Sequence, residues 1–262
     1  MVLISPYKSK IYISKTGGHL MSDIELIVED LIAWLRERVE EAGAKGLVFG
    51  LSGGIDSAVM AGLSKLAFPS SSLGVIMPCH SDSKDEEDAL LVARALGLET
   101  KRVDLTKTFD TMIGSLNLSN NKLALANIKP RLRMTTLYYY AQSLNYLVAG
   151  STNKSEFYIG YFTKHGDSSV DLLPLADFLK SEIWEMADYL NIPKSIIDKV
   201  PSAGLWDNQT DEEEMGFSYQ VLDNFIRTGE AAEDVKSRIL TMNARSLHKQ
   251  VYPPIYKQNR YK

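Results

Sequence analysis

Apolar residues recur at two different periods along this chain. From Ile24 through Ile27, Val28, Leu31 and Leu35 they fall three or four apart, which is one face of a helix. Ser22 and Glu25 form a capping box at its start, and Gly43 and Gly46 mark its end and a turn. Residues 47–51 are a short apolar run, as expected of a strand buried on both faces. Residues 57–67 return to helical spacing, 73–77 form a second buried strand ended by Pro78, and 100–103 form a third. Between the last two lies a helix over 85–96, opened by a capping box of Ser83 and Glu86 and closed by Gly97. A helix over 123–144, kinked near Pro130, precedes a fourth strand at 146–149. Helices over 179–190, 218–226 and 234–242 follow, and 206–214 is polar, acidic and turn-rich, the pattern of a mobile surface loop. Strands alternating with helices imply an α/β fold, a parallel sheet with helices on both faces.

Composition narrows the class. Across 262 residues, 29 Lys and Arg oppose 33 Asp and Glu, a net charge of −4, with 45% hydrophobic residues. That balance excludes disordered and collagenous classes, and without a basic tract it argues against nucleic acid as a partner. No apolar run approaches the roughly 18 residues of a membrane span. Cys79 is the single cysteine, which excludes an internal disulfide or a cysteine zinc cage and fits a reducing, cytoplasmic setting. Residues 1–20 lack the apolar core of a signal peptide and read as an N-terminal extension, with a single domain over 21–262.

The chemistry concentrates in Gly50-Leu51-Ser52-Gly53-Gly54-Ile55-Asp56-Ser57, which joins the first strand to the next helix. Ligands bind parallel sheets at the carboxyl ends of their strands. Adjacent glycines let backbone N–H groups turn inward, the helix start adds positive potential, and Ser52 and Ser57 offer hydroxyls: a nest for phosphate oxygens. Asp56 would repel a polyphosphate unless Mg²⁺, which takes one or two carboxylates plus phosphate oxygens, lies between. Neither a G-x-x-x-x-G-K-[ST] nor a G-x-G-x-x-G motif is present.

This loop resembles the signature of the ATP pyrophosphatase superfamily, which implies a Rossmann-like, adenine nucleotide alpha hydrolase-like sheet and cleavage of ATP between its α and β phosphates. Further segments occur in order: Asn127 to Met134, Gly150 to Glu156, Tyr161 to Asp167, Asp171 to Leu175, Lys180, Pro201 to Ala203, and His248-Lys249. The series is similar to the ammonia-dependent NAD synthetase family from Met21 to about Tyr256. The resemblance implies a ligase that adenylates the nicotinate carboxylate of deamido-NAD with ATP and amidates it with ammonia. It implies Gly50 to Ser57, Ser151, Lys180 and Ser202 as ATP contacts, and Asp56 and Glu156 as Mg²⁺ ligands. Arg131, Lys164, Asp171, His248 and Lys249 would contact deamido-NAD, and Asp167 is a candidate proton acceptor beside Asp56 and Lys180. A homodimer with the dinucleotide at its interface is also implied, with helix 123–144 as an interface element.

The sequence departs from the family at Ile76, where many relatives carry an arginine, and at Asn153 and Lys154 in place of an Asp-His pair. Taken singly, Glu156 and Lys180 are as compatible with solvated surface positions, and Arg131 with Arg133 with an exposed basic pair. The rival functions are another ATP pyrophosphatase-type adenylating ligase and a non-catalytic nucleotide-binding module.

Overall fold

The computed structural model describes residues 23–116, 121–206 and 209–256, so the expected extension over 1–20 and the Ser22 cap lie outside the described residues. Four parallel strands form one sheet: β1 (Leu47–Gly50), β2 (Ser72–Ile76), β3 (Glu99–Arg102) and β4 (Leu147–Val148), in the order β3-β2-β1-β4. The first six helices are α1 (Asp23–Glu41), α2 (Ile55–Ala67), α3 (Ser83–Leu96), α4 (Thr106–Ser115), α5 (Lys122–Ala126) and α6 (Ile128–Leu144). After β4 come α7 (Lys154–Ile159), α8 (Lys180–Tyr189), α9 (Lys194–Ile197), α10 (Asp211–Met215), α11 (Tyr219–Thr228) and α12 (Glu233–Ser246).

The two-residue alternation of strand side chains divides the interior. Leu47, Phe49 and Leu51 face one core with α1, α2, α3 and α8, while Val48 faces the other with Leu73, Val75, Met77 and the α6 residues Leu137 and Ala141. Both faces of the central strands are therefore apolar, as the unbroken hydrophobic runs require. A third apolar cluster joins Ile159 of α7 to Tyr219, Leu222 and Phe225 of α11 and Ile239 of α12. At one edge, β3 carries Glu99, Lys101 and Arg102, charges that discourage further strand pairing.

Three details differ from the sequence expectation. Pro130 does not kink a long helix: the chain breaks at Asn127, and Pro130 occupies the first turn of α6, where a missing N–H costs no intrahelical bond. The cap of α3 is Asp82, which accepts from the Lys84 N–H, because Glu86 is engaged by Arg102 Nε at 2.7 Å. The acidic stretch at 211–215 is helix α10, capped by Thr210 and carrying four acids in its first turn, where the helix dipole favours them.

The strand order sets the position of the site. From β1 the chain proceeds outward to β2 and β3, then returns to place β4 on the other side of β1. Such a switch point opens a crevice at the carboxyl ends of the two flanking strands. The loops leaving it here are Gly50–Ser57 after β1 and Ala149–Asn153 after β4.

Gly53 makes the first loop possible. Its φ is +81°, and a Cβ there would stand 2.4 Å from the Asp85 carbonyl oxygen of α3. Gly53→Ala should cost about 1–3 kcal/mol from the backbone conformation alone, seen as a lowered thermal unfolding midpoint; an unchanged midpoint would mean that the loop does not require this conformation.

Candidate active site

A cavity of about 710 Å³ occupies the switch point. Gly50, Leu51, Ser52, Gly54, Ile55, Asp56 and Ser57 line it, as do Ser151, Glu156, Lys180 and Ser202. Arg131, Lys164, Asp167, His248 and Lys249 line the same space. Of the residues singled out from sequence, Gly53 and Asp171 do not. Gly53 backs onto α3, and Asp171 accepts hydrogen bonds from Tyr138 Oη at 3.1 Å and the Val148 N–H at 2.8 Å.

The loop is braced from within. Ser57 Oγ donates to the Gly54 carbonyl at 2.9 Å and accepts from the Ser52 N–H at 3.2 Å, so Ser57 is buried and holds the turn, while Ser52 is exposed to the cavity. Gly54 caps α2 without a side chain, so no side-chain acceptor competes for the N–H groups of its first turn. A helix N-terminus in that state is suited to an anion.

At the foot of the loop three charges meet. Lys180 Nζ donates to Asp56 Oδ2 at 2.5 Å and to Glu156 Oε1 at 3.3 Å. Lys180 is 1% exposed and is the first residue of α8, whose start is fixed by Ser155 and Asp223. Ser155 Oγ donates to Asp223 Oδ1 and accepts from the Lys180 N–H, and Asp223 Oδ2 accepts from the Ser181 N–H. Glu156 is fixed by α7: Asn153 accepts from its N–H, and its own Oε2 accepts from the Asn153 N–H, a capping box. The Asn153 amide also donates to Asp56 Oδ1 at 2.8 Å. Lys180 and Glu156 are therefore not the solvated surface charges that each could have been in isolation.

The cluster carries too much negative charge. Burial and the neighbouring Asp56 push the Glu156 carboxyl far above the usual carboxylate range, although Lys180 pulls the other way. Burial would lower the Lys180 ammonium, but Asp56 and Glu156 overcome it and raise it above its ordinary value. Asp211 adds a further acid, raised by burial, and among the described residues its Oδ1 is buried without a hydrogen-bond donor. Two convergent hard carboxylates short of positive charge fit a divalent cation that completes its shell with phosphate oxygens, as Mg²⁺ does.

Sequence reasoning missed the support beneath this cluster. Tyr219 is fully buried; its ring lies 4.8 Å below Lys180 Nζ, and its hydroxyl donates to Asp211 Oδ2 at 2.9 Å and reaches Glu156 Oε1 at 3.4 Å. Only the Ser218 cap and the apolar face of α11 signalled that Tyr219 would point inward. Gln209, within the stretch 206–214 expected to be a surface loop, is instead buried, with Nε2 donating to Glu214 Oε2 at 2.6 Å.

On the opposite wall, Arg131 Nη2 donates to the Lys164 carbonyl at 3.2 Å and Lys164 Nζ to the His248 carbonyl at 2.7 Å. Lys249 Nζ donates to the carbonyls of Gly160 and Phe162 at 2.8 and 2.9 Å. Asp167 accepts from the Thr163 N–H at 2.9 Å; the enclosing walls raise its carboxyl, against that hydrogen bond and the charges of Arg133 and Lys249. Ile76 presents an apolar surface to the cavity.

A braced glycine loop at a switch point, with two acids sharing one buried ammonium, defines a nucleotide-binding α/β protein. The chain belongs to the NAD synthase family, whose model matches residues 27–262. It is 53% identical over 231 residues to the NH(3)-dependent NAD(+) synthetase of Carboxydothermus hydrogenoformans, covering 87% of this chain and 95% of that one. Among solved structures it is similar to an NMN synthetase from Francisella tularensis, with 37% identity, a TM-score of 0.87, and coverage of 91% of this chain and 100% of that one. It is also similar to the NH3-dependent NAD synthetase from Campylobacter jejuni, with 30% identity, a TM-score of 0.76 and coverage of 90% and 100%.

Tyr219→Phe keeps the ring but removes the donor that Asp211 Oδ2 depends on. It should destabilise the protein by about 1–3 kcal/mol, measured as a lower denaturant midpoint; an unchanged midpoint would show that the hydroxyl contributes nothing.

Proposed function

We propose that this chain is an ammonia-dependent NAD synthetase, which joins ammonia to the nicotinate carboxylate of deamido-NAD while ATP is converted to AMP and pyrophosphate. The observation that carries this reading is one cavity holding both the braced phosphate loop with its Lys180–Asp56–Glu156 cluster and the basic wall of Arg131, Lys164, His248 and Lys249. The names of the relatives agree with it.

The chemistry follows from the acceptor. A carboxylate resists ammonia because oxide would have to leave. In the first step a carboxylate oxygen bonds to the α-phosphorus, the α–β phosphoanhydride bond breaks and pyrophosphate departs. In the second, the nitrogen of ammonia bonds to the acyl carbon, the acyl–oxygen bond breaks and AMP departs with one proton lost from nitrogen. The first step needs no general base; it needs two anions held together and phosphate charge offset, a matter of positioning and electrostatics.

Ser52 and the open N–H groups in the first turn of α2 bind phosphate oxygens, with Ser151 and Ser202 as further nucleotide contacts. Lys180 places a fixed positive charge beside them. Asp56 and Glu156 would hold Mg²⁺, which supplies further charge neutralisation. Arg131, Lys164, His248 and Lys249 bind the dinucleotide, and Asp167, with its raised carboxyl pKa, accepts the proton from the attacking nitrogen. Two copies pair through α6, whose Tyr139 is 68% exposed. Asp171, hydrogen-bonded to Tyr138 of that helix, then lies beside the dinucleotide at the interface.

The likeness to the Francisella NMN synthetase supports a second reading, in which the preferred acceptor is nicotinate mononucleotide. Pyrophosphate release with ATP and ammonium, assayed with each acceptor, separates the two. The expected result is a higher kcat/KM for deamido-NAD; a higher value for the mononucleotide selects the second reading, and release with neither removes both. Asp56→Asn should reduce turnover at least a hundredfold, on the order expected for losing a preorganised electrostatic group, with its circular dichroism unchanged. Near-normal turnover would remove Asp56 from the site.

A further inference from the structure

Arg131 and Arg133 are two residues apart on α6 but meet different fates. Arg131 is exposed, whereas Arg133 turns into the cavity wall. There its Nε donates to the Met77 carbonyl at 3.2 Å and its Nη2 to Ser81 Oγ at 3.3 Å, both neutral oxygens. Among the described residues it forms no ion pair within 4 Å. Burial lowers its pKa, and Asp167 and Asp85 act on it only through space. A guanidinium cannot escape burial by losing its proton, so the desolvation cost stands unless an anion offsets it. Two other cations of the cavity are matched by acids, Lys180 by Asp56 and Glu156 and Lys199 by Asp85 and Asp88, whereas Arg131, Lys164 and Lys249 donate to backbone carbonyls at its outer wall. Arg133 has five N–H donors, and its two protein bonds leave three free.

Its position is equally telling. Met77, whose carbonyl it holds, has its Cε 3.5 Å from where a Cβ on Gly50 would stand. Leu137, one turn further along α6, lies 4.0 Å from the same point. Arg133 thus lines the same cavity as the start of the phosphate loop and Asp167.

We propose that Arg133 is an oxyanion-binding residue of this site, taking a phosphate oxygen of the nucleotide or a carboxylate oxygen of the acceptor where the two must meet. The assignment rests on the function proposed above. Of the two sources, each has its own arm in the test.

Arg133→Gln and Arg133→Lys are prepared in the full chain. Calorimetry measures the affinity of each for α,β-methylene-ATP with Mg²⁺, for deamido-NAD and for NAD, alongside steady-state turnover. The glutamine variant should lose on the order of a hundredfold in kcat/KM and at least tenfold in one affinity, with lysine recovering part of both. Loss confined to the nucleotide analogue identifies the phosphate. Loss for deamido-NAD but not for NAD, which lacks the carboxylate, identifies the acceptor. Affinities for both ligands within threefold of wild type would overturn the proposal and leave Arg133 as a brace for Met77 and Ser81. Should the glutamine variant unfold, the lysine variant decides by the same binding criteria, since it keeps the charge but not the planar fork. A wild-type protein inactive on deamido-NAD would instead sink the functional reading, and the nucleotide arm would still decide Arg133.

Discussion

One buried ammonium group organises the centre of this molecule. Lys180 is drawn from water and held against both Asp56 and Glu156. Breaking such a buried arrangement by removing one partner leaves an uncompensated charge, which is why its members come from well-anchored elements. Asp56 lies in the first turn of α2, Glu156 in that of α7, and Lys180 opens α8. Three helix starts thus converge on one spot, and each adds positive potential to a place where acids gather. Even so, negative charge remains in excess, as the raised Glu156 carboxyl records.

That excess explains how the fold and the proposed chemistry fit together. The sheet's reversal of direction beside β1 makes a crevice, and the loops after β1 and β4 deliver the phosphate nest and the acids to its two sides. In the proposed reaction, a nucleotide arriving with Mg²⁺ would meet open N–H groups at one end and carboxylates short of positive charge at the other. The basic wall built from α6 and the segments at 161–167 and 248–249 then faces it across the same space.

Much of this was legible in the sequence, for identifiable reasons. The central strands are apolar on both faces, so residues 47–51 and 73–77 read as strands to within a residue or two of β1 and β2. The Ser-Gly-Gly-x-Asp-Ser loop carries its chemistry in consecutive residues, and the resemblance to NAD synthetases extended it to distant positions. What escaped depends on contacts between residues far apart in sequence. Tyr219 looks like any apolar helix residue, and only the fold places its hydroxyl on Asp211 and Glu156. The short α7 hid because Asn153 and Glu156 form its capping box while also serving the site. The acids of α10 suggested a solvated loop, yet Asp211 turns inward while its neighbours stay at the surface. Arg131 and Arg133 read alike in sequence, and only the packing of α6 against β1 and the Met77–Ser81 segment separates them.

Burial and the neighbouring Asp56 raise the Glu156 carboxyl in the free protein, and in the proposed reaction a cation arriving with the nucleotide would favour its ionised form. A carboxyl raised in this way takes up protons more readily than an ordinary one, and a metal that binds its ionised form releases them. Calorimetric titration with preformed Mg²⁺–ATP, repeated at pH 7 in buffers of different ionisation enthalpy, measures that release directly. Net proton release by the wild-type protein that disappears in Glu156→Gln is the expected result; the same proton count in both proteins would contradict the account.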